Sequence, residues 1–366
     1  MAKKKFKWYE QPFRWANIVL IVLTLLSYLT SYINPNFAGW LSILGLTYPI
    51  LLFFNVGFLI FWLYRKKAIL AFSTFLCILI GWNYLTATIG MNYFSSMPQA
   101  TEQQLSLVSY NTRNFRTTGK FEEKKAINRI NETLKFIPEI KPDIFCGQEF
   151  RLLPTGKMSD TKNNYLSHFS HIADNKKGII ICSKYPIINQ GKVDNSDSKR
   201  HTNLFADIQI NNQFIVRVYS VHLESNKVSK TTENIELDTE KLQTKSTWRT
   251  IFRVLDMIKN NQKLRAEQIK AITKHAEGSP YPVIICGDFN DTPLSYTVRQ
   301  TNFLQDNFSK SGKGMGTTYN GNIPFLRIDY ILSDRRFNVV KTNIMKEYKA
   351  SDHFPMKSIV SWEFEE

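Results

Sequence analysis

Two long stretches of this chain contain no charged side chain, and they restrict what its first third can fold into. One runs from Trp15 to Tyr64 and the other from Ala68 to Thr101, with only Arg65-Lys66-Lys67 between them. A helix of about 20 mostly apolar residues is long enough to cross a lipid bilayer. The sequence therefore predicts three transmembrane helices, at residues 15–33, 40–62 and 68–86.

Buried core helices and a cleaved signal peptide are the alternative explanations of such stretches. A signal peptide has one apolar region of roughly 7–15 residues and a small-residue cleavage site. Three consecutive apolar segments, the first two separated by the turn residues Asn34-Pro35-Asn36, do not match that pattern. The pattern favours an integral membrane region that contacts the lipid bilayer.

The basic residues beside these segments predict their orientation. Short loops rich in Lys and Arg lie on the cytoplasmic side. Five basic residues precede the first segment and residues 65–67 are all basic, whereas residues 34–39 and 91–104 contain none. With three spans, the C-terminal region is expected on the periplasmic or extracellular side of the cytoplasmic (inner) membrane; with two, it would not be.

Charge and cysteine content narrow the classes of partner. Residues 1–101 carry +7 of the formal net charge of +16, and residues 102–366 carry the remaining +9. A basic soluble region suits an anionic partner, either nucleic acid or an anionic membrane surface, although general solubility explains the same charge. The four cysteines show no Cys-x-x-Cys spacing, so neither a zinc site nor a disulfide framework is indicated. No obligate protein partner is indicated either.

Beyond Leu105, short apolar runs alternate with longer amphipathic stretches. Strands are predicted at residues 105–110, 143–146, 178–182, 204–210, 214–222, 283–286, 328–332 and 356–362. Helices are predicted at residues 122–139, 240–276 (broken near Asn260-Asn261) and 294–301. Strands outnumber helices without strict alternation, which favours an α/β sandwich of two sheets flanked by helices.

This pattern divides the chain into three parts. Residues 1–90 form the predicted membrane domain, residues 91–104 a polar linker, and residues 105–366 a soluble domain. Within the soluble domain, the charged residues 226–245 directly follow a predicted strand and are expected to form a loop.

Six short polar segments each end or follow one of the predicted strands. They are Ser109-Tyr110-Asn111, Gly147-Gln148-Glu149, Ser220-Val221-His222-Leu223, Gly287-Asp288-Phe289-Asn290, Arg327-Ile328-Asp329-Tyr330 and Ser351-Asp352-His353. A lone carboxylate beside a buried strand is costly unless it is paired or bound to a metal. Each acid taken singly is equally well explained as a strand-end cap or a salt-bridge partner. Together, the carboxylate and carboxamide oxygens of the six segments favour Mg²⁺ or Mn²⁺ over zinc as a bound metal.

Two histidines belong to this set. His222 ends a strand-like run and His353 follows Asp352. A histidine in a strand is often only structural, but two beside these acids suit proton transfer or phosphate contact near neutral pH. No role is assigned to the other four, which are His168, His171, His201 and His275.

The order of these residues along the chain resembles the endonuclease/exonuclease/phosphatase superfamily. That group includes pancreatic-type deoxyribonucleases, abasic-site nucleases, inositol-polyphosphate phosphatases and neutral sphingomyelinases. The resemblance covers residues 105–362 and is most specific in Gly287-Asp288-Phe289-Asn290, followed by Pro293, combined with Ser351-Asp352-His353. It implies a four-layered α/β/β/α sandwich of two mixed β-sheets.

The resemblance also implies a metal site. Glu149 corresponds to the principal metal carboxylate of the family, and Asn111 to the asparagine beside it. Asp352 corresponds to an acid near a metal or near the first histidine. The implied cofactor is Mg²⁺ or Mn²⁺, as one ion or two.

Five further residues correspond to the catalytic groups of the family. Asp288 matches the residue that orients or activates the attacking water, and Asn290 its partner on water and phosphate. His222 matches the histidine that contacts phosphate or assists the leaving group. His353 matches the second histidine, which Asp329 orients.

Two positions depart from the subfamily patterns. Abasic-site nucleases carry an acid where this chain has Arg113, which removes a metal ligand and adds a cation able to hold phosphate. Sphingomyelinases tend to show His-x-Gln where this chain has His222-Leu223-Glu224. The substrate class therefore stays open.

The expected function is a membrane-anchored, metal-dependent hydrolase of phosphodiester or phosphomonoester bonds. Its anionic substrate is either nucleic acid or a phospholipid or sphingolipid headgroup. The alternative is a catalytically inactive membrane interaction module on the same scaffold. The chain retains the polar residues expected of an active enzyme, which argues against this alternative.

Overall fold

The computed structural model describes residues 7–93, 103–116, 122–151, 156–193, 203–226, 245–321 and 323–363. Most of the predicted linker, residues 94–102, and most of the predicted loop, residues 227–244, lie outside the described residues. The chain forms two compact units. The helical unit comprises residues 1–88, 226–266 and 291–299, and the sandwich unit comprises residues 89–225, 267–290 and 300–366.

The helical unit is built from short and medium helices. They are a 3-10 turn (Trp8–Glu10), α1 (Gln11–Leu29), α2 (Pro35–Ala38), α3 (Ser42–Leu46), α4 (Tyr48–Tyr64), α5 (Ala68–Ile80) and α6 (Trp82–Thr88). The same unit contains α11 (Tyr296–Arg299) and the first two thirds of α10 (Lys245–Glu277), which is continuous where a break near Asn260 was predicted.

The prediction of three transmembrane helices was wrong for the described residues. One helical segment, Trp8–Leu29, is long and apolar enough to cross a membrane, and a second is added if α5 and α6, bent by 70°, count as one span. The predicted span at 40–62 is interrupted between α3 and α4. Pro49 lies in the first turn of α4, where its missing N–H starts a new helix rather than continuing the previous one.

The bend between α5 and α6 lies at Gly81. A β-carbon at this position would lie 2.2 Å from the hydroxyl oxygen of Tyr28, so only glycine permits this close approach. The Tyr28 hydroxyl donates to the Cys77 carbonyl just before the bend. The predicted third span is thus bent at the point where Tyr28 of α1 contacts it.

Polar side chains line the interior of the helical unit. The Asn17 amide oxygen accepts hydrogen bonds from Trp62 Nε1 at 2.9 Å and from Thr74 Oγ1 at 3.1 Å. The Asn55 amide nitrogen donates to Thr24 Oγ1 at 2.8 Å. Large apolar side chains of α1, α4 and α5 are instead exposed, which is the reverse of a water-soluble helix bundle.

The sandwich unit contains fourteen strands among its described residues. They are β1 (Ile89–Met91), β2 (Gln104–Asn111), β3 (Ile144–Gln148), β4 (His171–Asp174), β5 (Ile180–Ser183), β6 (Ile187–Val193), β7 (Asn203–Gln209), β8 (Ile215–His222), β9 (Val283–Asp288), β10 (Gln305–Asp306), β11 (Lys313–Met315), β12 (Asp329–Ser333), β13 (Asn338–Ile344) and β14 (Met356–Ser361). Its helices are α7 (Glu123–Leu134), α8 (Phe136–Ile140), α9 (Gly156–Leu166) and α12 (Asn307–Ser311), with the last part of α10.

Two six-stranded mixed sheets form the body of this unit. The first has the order β10-β12-β9-β8-β7-β6 and the second β13-β14-β2-β3-β5-β4. Only β2–β3 and β8–β9 are parallel neighbours within these sheets. A core that includes Leu107, Ile144, Val218 and Ile284 fills the space between the sheets. This is the predicted α/β fold with mixed sheets.

Helices cover the outer face of each sheet. On the second sheet, Ala126 and Ile130 of α7 pack against Val108 and Phe145. On the first sheet, Nδ1 of His275 in α10 lies 2.7 Å from the Tyr219 hydroxyl of β8. The central strands β2, β3, β8 and β9 are therefore buried on nearly their whole length, whereas the edge strands β6 and β13 are largely exposed.

Candidate active site

The strand register brings the polar segments to one edge of the sandwich unit. Asn111 and Gln148 are paired at the ends of β2 and β3. His222 and Asp288 are paired at the ends of β8 and β9, and Asp329 begins β12 opposite Asp288. The amide of Asn111, on the second sheet, donates to Oδ2 of Asp288, on the first sheet, at 2.9 Å. Side chains from both sheets therefore meet at this edge.

The close approach of β8 and β9 requires a glycine before Asp288. Gly287 has φ +147°, and a β-carbon there would lie 2.0 Å from the carbonyl oxygen of Val221. No other residue fits without moving one of the two strands. The glycine of Gly287-Asp288-Phe289-Asn290 therefore sets the position of the acid that follows it.

The Asp288 carboxylate is the centre of the cluster and is 1% exposed. Its Oδ2 accepts the amides of Asn111 and Asn290 at 2.9 and 3.1 Å, and Nε2 of both His222 and His353 lies 3.7 Å away. Burial raises the pKa of Asp288, and the neighbouring Asp329 adds to this, while the imidazoles and the Asn111 amide work against it. A carboxylate with a raised pKa that is held by several donors is suited to take a proton from water.

His353 and Asp329 form a buried pair beside it. Nδ1 of His353 lies 2.9 Å from Oδ2 of Asp329, and the Asp329 backbone N–H donates to the Thr318 hydroxyl at 3.1 Å. Burial disfavours the charged imidazole, but the Asp329 and Asp288 carboxylates outweigh it and raise the pKa of His353 to about 10. Because Nδ1 of His353 binds Asp329, its Nε2 faces the Asp288 carboxylate.

Glu149 provides the most accessible acid of the cluster. Its Oε2 accepts the Asn114 amide at 2.6 Å, and its Oε1 lies 3.5 Å from the Asn111 amide nitrogen and 3.8 Å from Nε2 of His222. The side chain is 28% exposed, unlike that of Asp288. Oxygen atoms here remain reachable from solvent.

Arg113 and Asp352 lie at the rim. Nε of Arg113 is 3.2 Å from Oδ2 of Asp352, and the arginine side chain is 49% exposed. The Arg113 backbone N–H donates to the Asn111 side-chain oxygen at 3.0 Å. The guanidinium is thus tied to the site while half of its surface can meet a ligand.

Several residues of the candidate site have a left-handed backbone conformation. The φ angles are +50°, +52° and +52° at residues 113, 114 and 115, +46° at Glu149 and +51° at Asn290. Side chains other than glycine adopt this region rarely, and such strain clusters at functional sites. The strain turns the ends of β2, β3 and β9 so that their polar side chains point toward a common centre.

The structure places three further residues in the site that were not predicted. Asn114 binds Glu149, Thr318 holds the backbone before Asp329, and the Tyr319 ring lies 5.5 Å from the His353 ring. Asn114 lies only three residues after the predicted metal ligand Asn111, and this short separation could have been used to predict that Asn114 is part of the site. Thr318 and Tyr319 belong to no apolar run, and the sequence contains no signal for them.

Two groups of side chains have the composition of a metal site. Ligand atoms of Asp288, Asp329 and His353 lie within 4.8 Å of one another and are buried, with Nδ1 of His353 bound to Asp329. Glu149 also offers carboxylate oxygens that solvent can reach, which fits a hard divalent cation, and the buried Asn111 amide lies beside it.

The sequence profile of the Endonuclease/Exonuclease/phosphatase family matches residues 108–353. The chain belongs to this family. A second profile, described as a domain of unknown function, matches residues 10–88. No curated protein matches the sequence at a significant level.

Solved structures of the same family share the fold. A family protein from Bacteroides thetaiotaomicron is 16% identical with a TM-score of 0.52, and one from Bacteroides vulgatus is 15% identical with a TM-score of 0.51. Each alignment covers 72% of this chain and 100% of the other chain. At this identity the similarity establishes the fold alone.

Membership of the Endonuclease/Exonuclease/phosphatase family makes the chain a metal-dependent phosphoesterase, a hydrolase of phosphate esters. Enzymes of this family depend on a divalent metal, and phosphate-containing substrates, nucleic acid among them, fit the family. The buried group of Asp288, Asp329 and His353 could hold a metal ion, and Glu149 is the more accessible acid beside it.

Proposed function

We propose that this chain is a membrane-anchored, Mg²⁺-dependent phosphoesterase in which Asp288 activates the attacking water. The observation that carries the proposal is the surroundings of Asp288 Oδ2, where two amides and two imidazoles converge on one buried carboxylate. A water at that oxygen would be held for in-line attack. Asp288 would accept its proton, which the raised pKa of this carboxyl favours.

His353 acts as a fixed cation in this proposal. Its pKa of about 10 keeps it protonated at neutral pH, and Asp329 fixes its ring. The positive charge faces Asp288 and stabilises the negative charge that develops on the phosphoryl oxygens. His222, whose Nε2 lies between Glu149 and Asp288, is placed to contact phosphate or to assist the leaving group.

Glu149 and Asn111 would hold the Mg²⁺ ion, with Asp352 at the rim. When bound, the metal neutralises charge on the phosphate oxygens and polarises the bond that breaks. Asn114 fixes the Glu149 carboxylate from behind. Mn²⁺ would satisfy the same donors, and the number of ions, one or two, is left open in the proposal.

The substrate phosphate would be held by Arg113 and Asn290. Arg113 presents a half-exposed guanidinium, which binds phosphate oxygens in a forked geometry. The Asn290 amide already bridges Asp288 and the Leu223 carbonyl, so its position is fixed before substrate arrives.

The helical unit supports membrane anchoring. Its helices bury Asn17, Asn55 and Thr74 and expose large apolar side chains such as Phe53 (73%) and Ile69 (75%). Polar groups that hydrogen-bond between helices and apolar groups that face outward are characteristic of membrane bundles. For the chain to leave the bilayer opposite its N-terminal tail, the shorter apolar helix α4 would have to cross as well as Trp8–Leu29 and the bent pair of α5 and α6.

The start of the first apolar helix and the basic loop between α4 and α5 meet through Glu10. Oε1 of Glu10 binds Nη2 of Arg65 at 2.6 Å, and Oε2 of Glu10 lies 3.3 Å from Nζ of Lys67. The tail and the loop between α4 and α5 therefore lie on the same side. We propose that this side is cytoplasmic, which would put the segment that follows α6 on the periplasmic or extracellular side.

A substrate panel tests the proposed reaction. Full-length protein with Mg²⁺ is offered plasmid DNA, RNA, sphingomyelin, a phosphoinositide and an aryl phosphodiester. We expect at least one phosphate ester to be hydrolysed, with nucleic acid and lipid headgroups as the two competing classes. Tight binding of Mg²⁺ without turnover of any substrate would instead favour the inactive interaction module.

A reporter fused at residue 102 tests the orientation. An enzyme such as alkaline phosphatase, which is active only outside the cytoplasm, is expected to be active there. Activity of a cytoplasm-specific reporter at the same position would overturn the proposed orientation without affecting the proposed chemistry.

A further inference from the structure

An apolar groove with a volume of about 470 Å³ runs along one face of the helical unit. One wall is formed by α1, from Val22 to Leu29 and on to Tyr32, and the other by Ile80 and Tyr84. The volume is within the range of small-molecule sites in proteins. Every side chain that lines the groove is uncharged.

The shape of the groove suits a linear apolar ligand. Val22 and Leu29 are seven residues apart on α1, which corresponds to roughly 10 Å along the helix, and Tyr32 lies in the turn beyond its end. Leu29 is 48% exposed and Ile80 is 60% exposed, so both walls present unburied apolar surface along the groove. A chain lying in the groove would cover these side chains together.

A cation lies at one end of the groove. Cζ of Arg299 is 3.6 Å from the centre of the Tyr32 ring. Within the part of the chain that the structure describes, no carboxylate forms an ion pair with Arg299. A guanidinium stacked by its face on an aromatic ring keeps the N–H groups of its edge directed outward, in the geometry that binds phosphate.

We propose that this groove binds a phospholipid, with an acyl chain along α1 and the lipid phosphate on Arg299. The inference rests on the proposed membrane anchoring of the helical unit and is independent of the proposed hydrolysis. An apolar groove that ends at a cation matches a molecule with an apolar chain and an anionic head. A second copy of this chain fits less well, because it would bring a second uncharged groove and a second cation rather than an anion.

Native mass spectrometry of the full-length protein in detergent tests the site. The probe is 1-palmitoyl-2-oleoyl-phosphatidylglycerol, added in steps, and the readout is the fraction of protein that carries one lipid. We expect Arg299→Gln to weaken the first binding step by about tenfold or more, since it removes a charge-assisted hydrogen bond. We expect Leu29→Trp, which fills the groove, to abolish that step.

Matched variants separate this site from general lipid adhesion. Arg336→Gln removes the same charge from an exposed position of the sandwich unit, and Leu63→Trp adds the same bulk to an exposed position of α4. Both are expected to bind lipid as the unchanged protein does. Equal affinity in all five proteins would overturn the proposed site.

Two further measurements keep the proposals distinguishable. Hydrolysis of a soluble aryl phosphodiester by the groove variants is expected to remain near the unchanged rate, which also shows that they fold. A protein that does not partition into membranes would overturn the anchor on which the lipid site rests. A protein that partitions and hydrolyses the ester, but carries no bound lipid at any concentration, would overturn the lipid site alone.

Discussion

Asp288 and Asp329 are direct cross-strand partners in the antiparallel strands β9 and β12, and the His353 ring contacts both carboxylates. Two buried carboxylates side by side repel each other, and an imidazolium beside them offsets that repulsion. Because Asp329 binds Nδ1 of His353, Asp288 is left facing Nε2 and the two amides. The strand register therefore separates one carboxylate that holds the imidazole from one that accepts the two amides.

The role of Asp288 predicts a large loss of activity in Asp288→Asn. The variant keeps the shape of the side chain but removes the proton acceptor, so kcat is expected to fall by about 10²–10⁴-fold. Initial rates on an aryl phosphodiester with saturating Mg²⁺ measure this. Asp334→Asn, at a carboxylate paired with Arg336, is the matched control and should retain activity. An active Asp288→Asn would refute the assignment of the base.

His353 and Asp329 are expected to act as one unit. His353→Ala should lower kcat by about 10²–10⁴-fold, and Asp329→Asn by less, because it leaves the ring in place but loosens its orientation. If the two act together, the double variant should be no slower than His353→Ala. A double variant whose loss equals the product of the two single losses would show that the residues act independently.

Metal binding is expected to depend on Glu149 and on its partner. EDTA should abolish hydrolysis, and excess Mg²⁺ should restore it. Asn114→Ala removes the hydrogen bond that orients Glu149 and should weaken Mg²⁺ affinity by about 10–100-fold, the usual effect of losing an outer partner of a ligand. Glu149→Gln should weaken it further.

Calorimetric titration of Mg²⁺ into each protein measures these affinities. Lys192→Ala, at an exposed position of β6, serves as the control and should bind Mg²⁺ normally. Unchanged affinity in Glu149→Gln would show that the metal is held elsewhere, with the Asp288–Asp329–His353 group as the remaining choice.

The ion pair of Arg327 with Asp306 predicts a pH-dependent contribution to stability. Arg327 is 2% exposed and binds both oxygens of Asp306, at 2.5 and 2.6 Å. Burial acts to raise the pKa of Asp306, but Arg327 outweighs it and holds that pKa below its usual value. The pair therefore stabilises the fold above the unfolded-state pKa of about 3.9. The stabilisation is lost as pH falls through the lower folded-state pKa.

Asp306→Asn should destabilise the sandwich unit by about 3 kcal/mol at pH 7, because it removes the carboxylate that pairs with a buried guanidinium. This is the low end of the usual range, since the Asp306 side chain is still 21% exposed. Urea denaturation followed by near-ultraviolet circular dichroism measures the change. The difference from the unchanged protein should shrink below pH 4, and a difference that does not depend on pH would contradict the ion-pair explanation.

Most of the candidate site could be predicted because each residue lies at the end of an apolar run. His222, Asp288 and Asn111 follow strands whose period and composition are visible locally. Thr318 and Tyr319 could not be predicted, because they reach His353 and Asp329 through a loop with no apolar period. The Arg113–Asp352 contact joins residues 239 positions apart, which no local pattern reports.

In the apolar N-terminal region, by contrast, the helix boundaries could not be predicted from the sequence. Hydropathy and charge identified which residues are apolar, but they did not show that Pro49 would start a new helix or that Gly81 would allow a 70° bend against Tyr28. A single glycine or proline inside an apolar stretch changes hydropathy little. Its effect depends on which helix packs against it.

The sequence by itself determined the kind of chemistry, through the order Asn, Glu, His, Asp-x-Asn, Asp and Asp-His, and the α/β pattern that carries it. Only the tertiary structure decided how these groups divide their work. The register of β9 against β12 places Asp329 on His353 and leaves Asp288 to accept the amides of Asn111 and Asn290. That division depends on differences of about 1 Å between side chains from separate strands, and such distances are set by packing between sheets rather than by any local sequence preference.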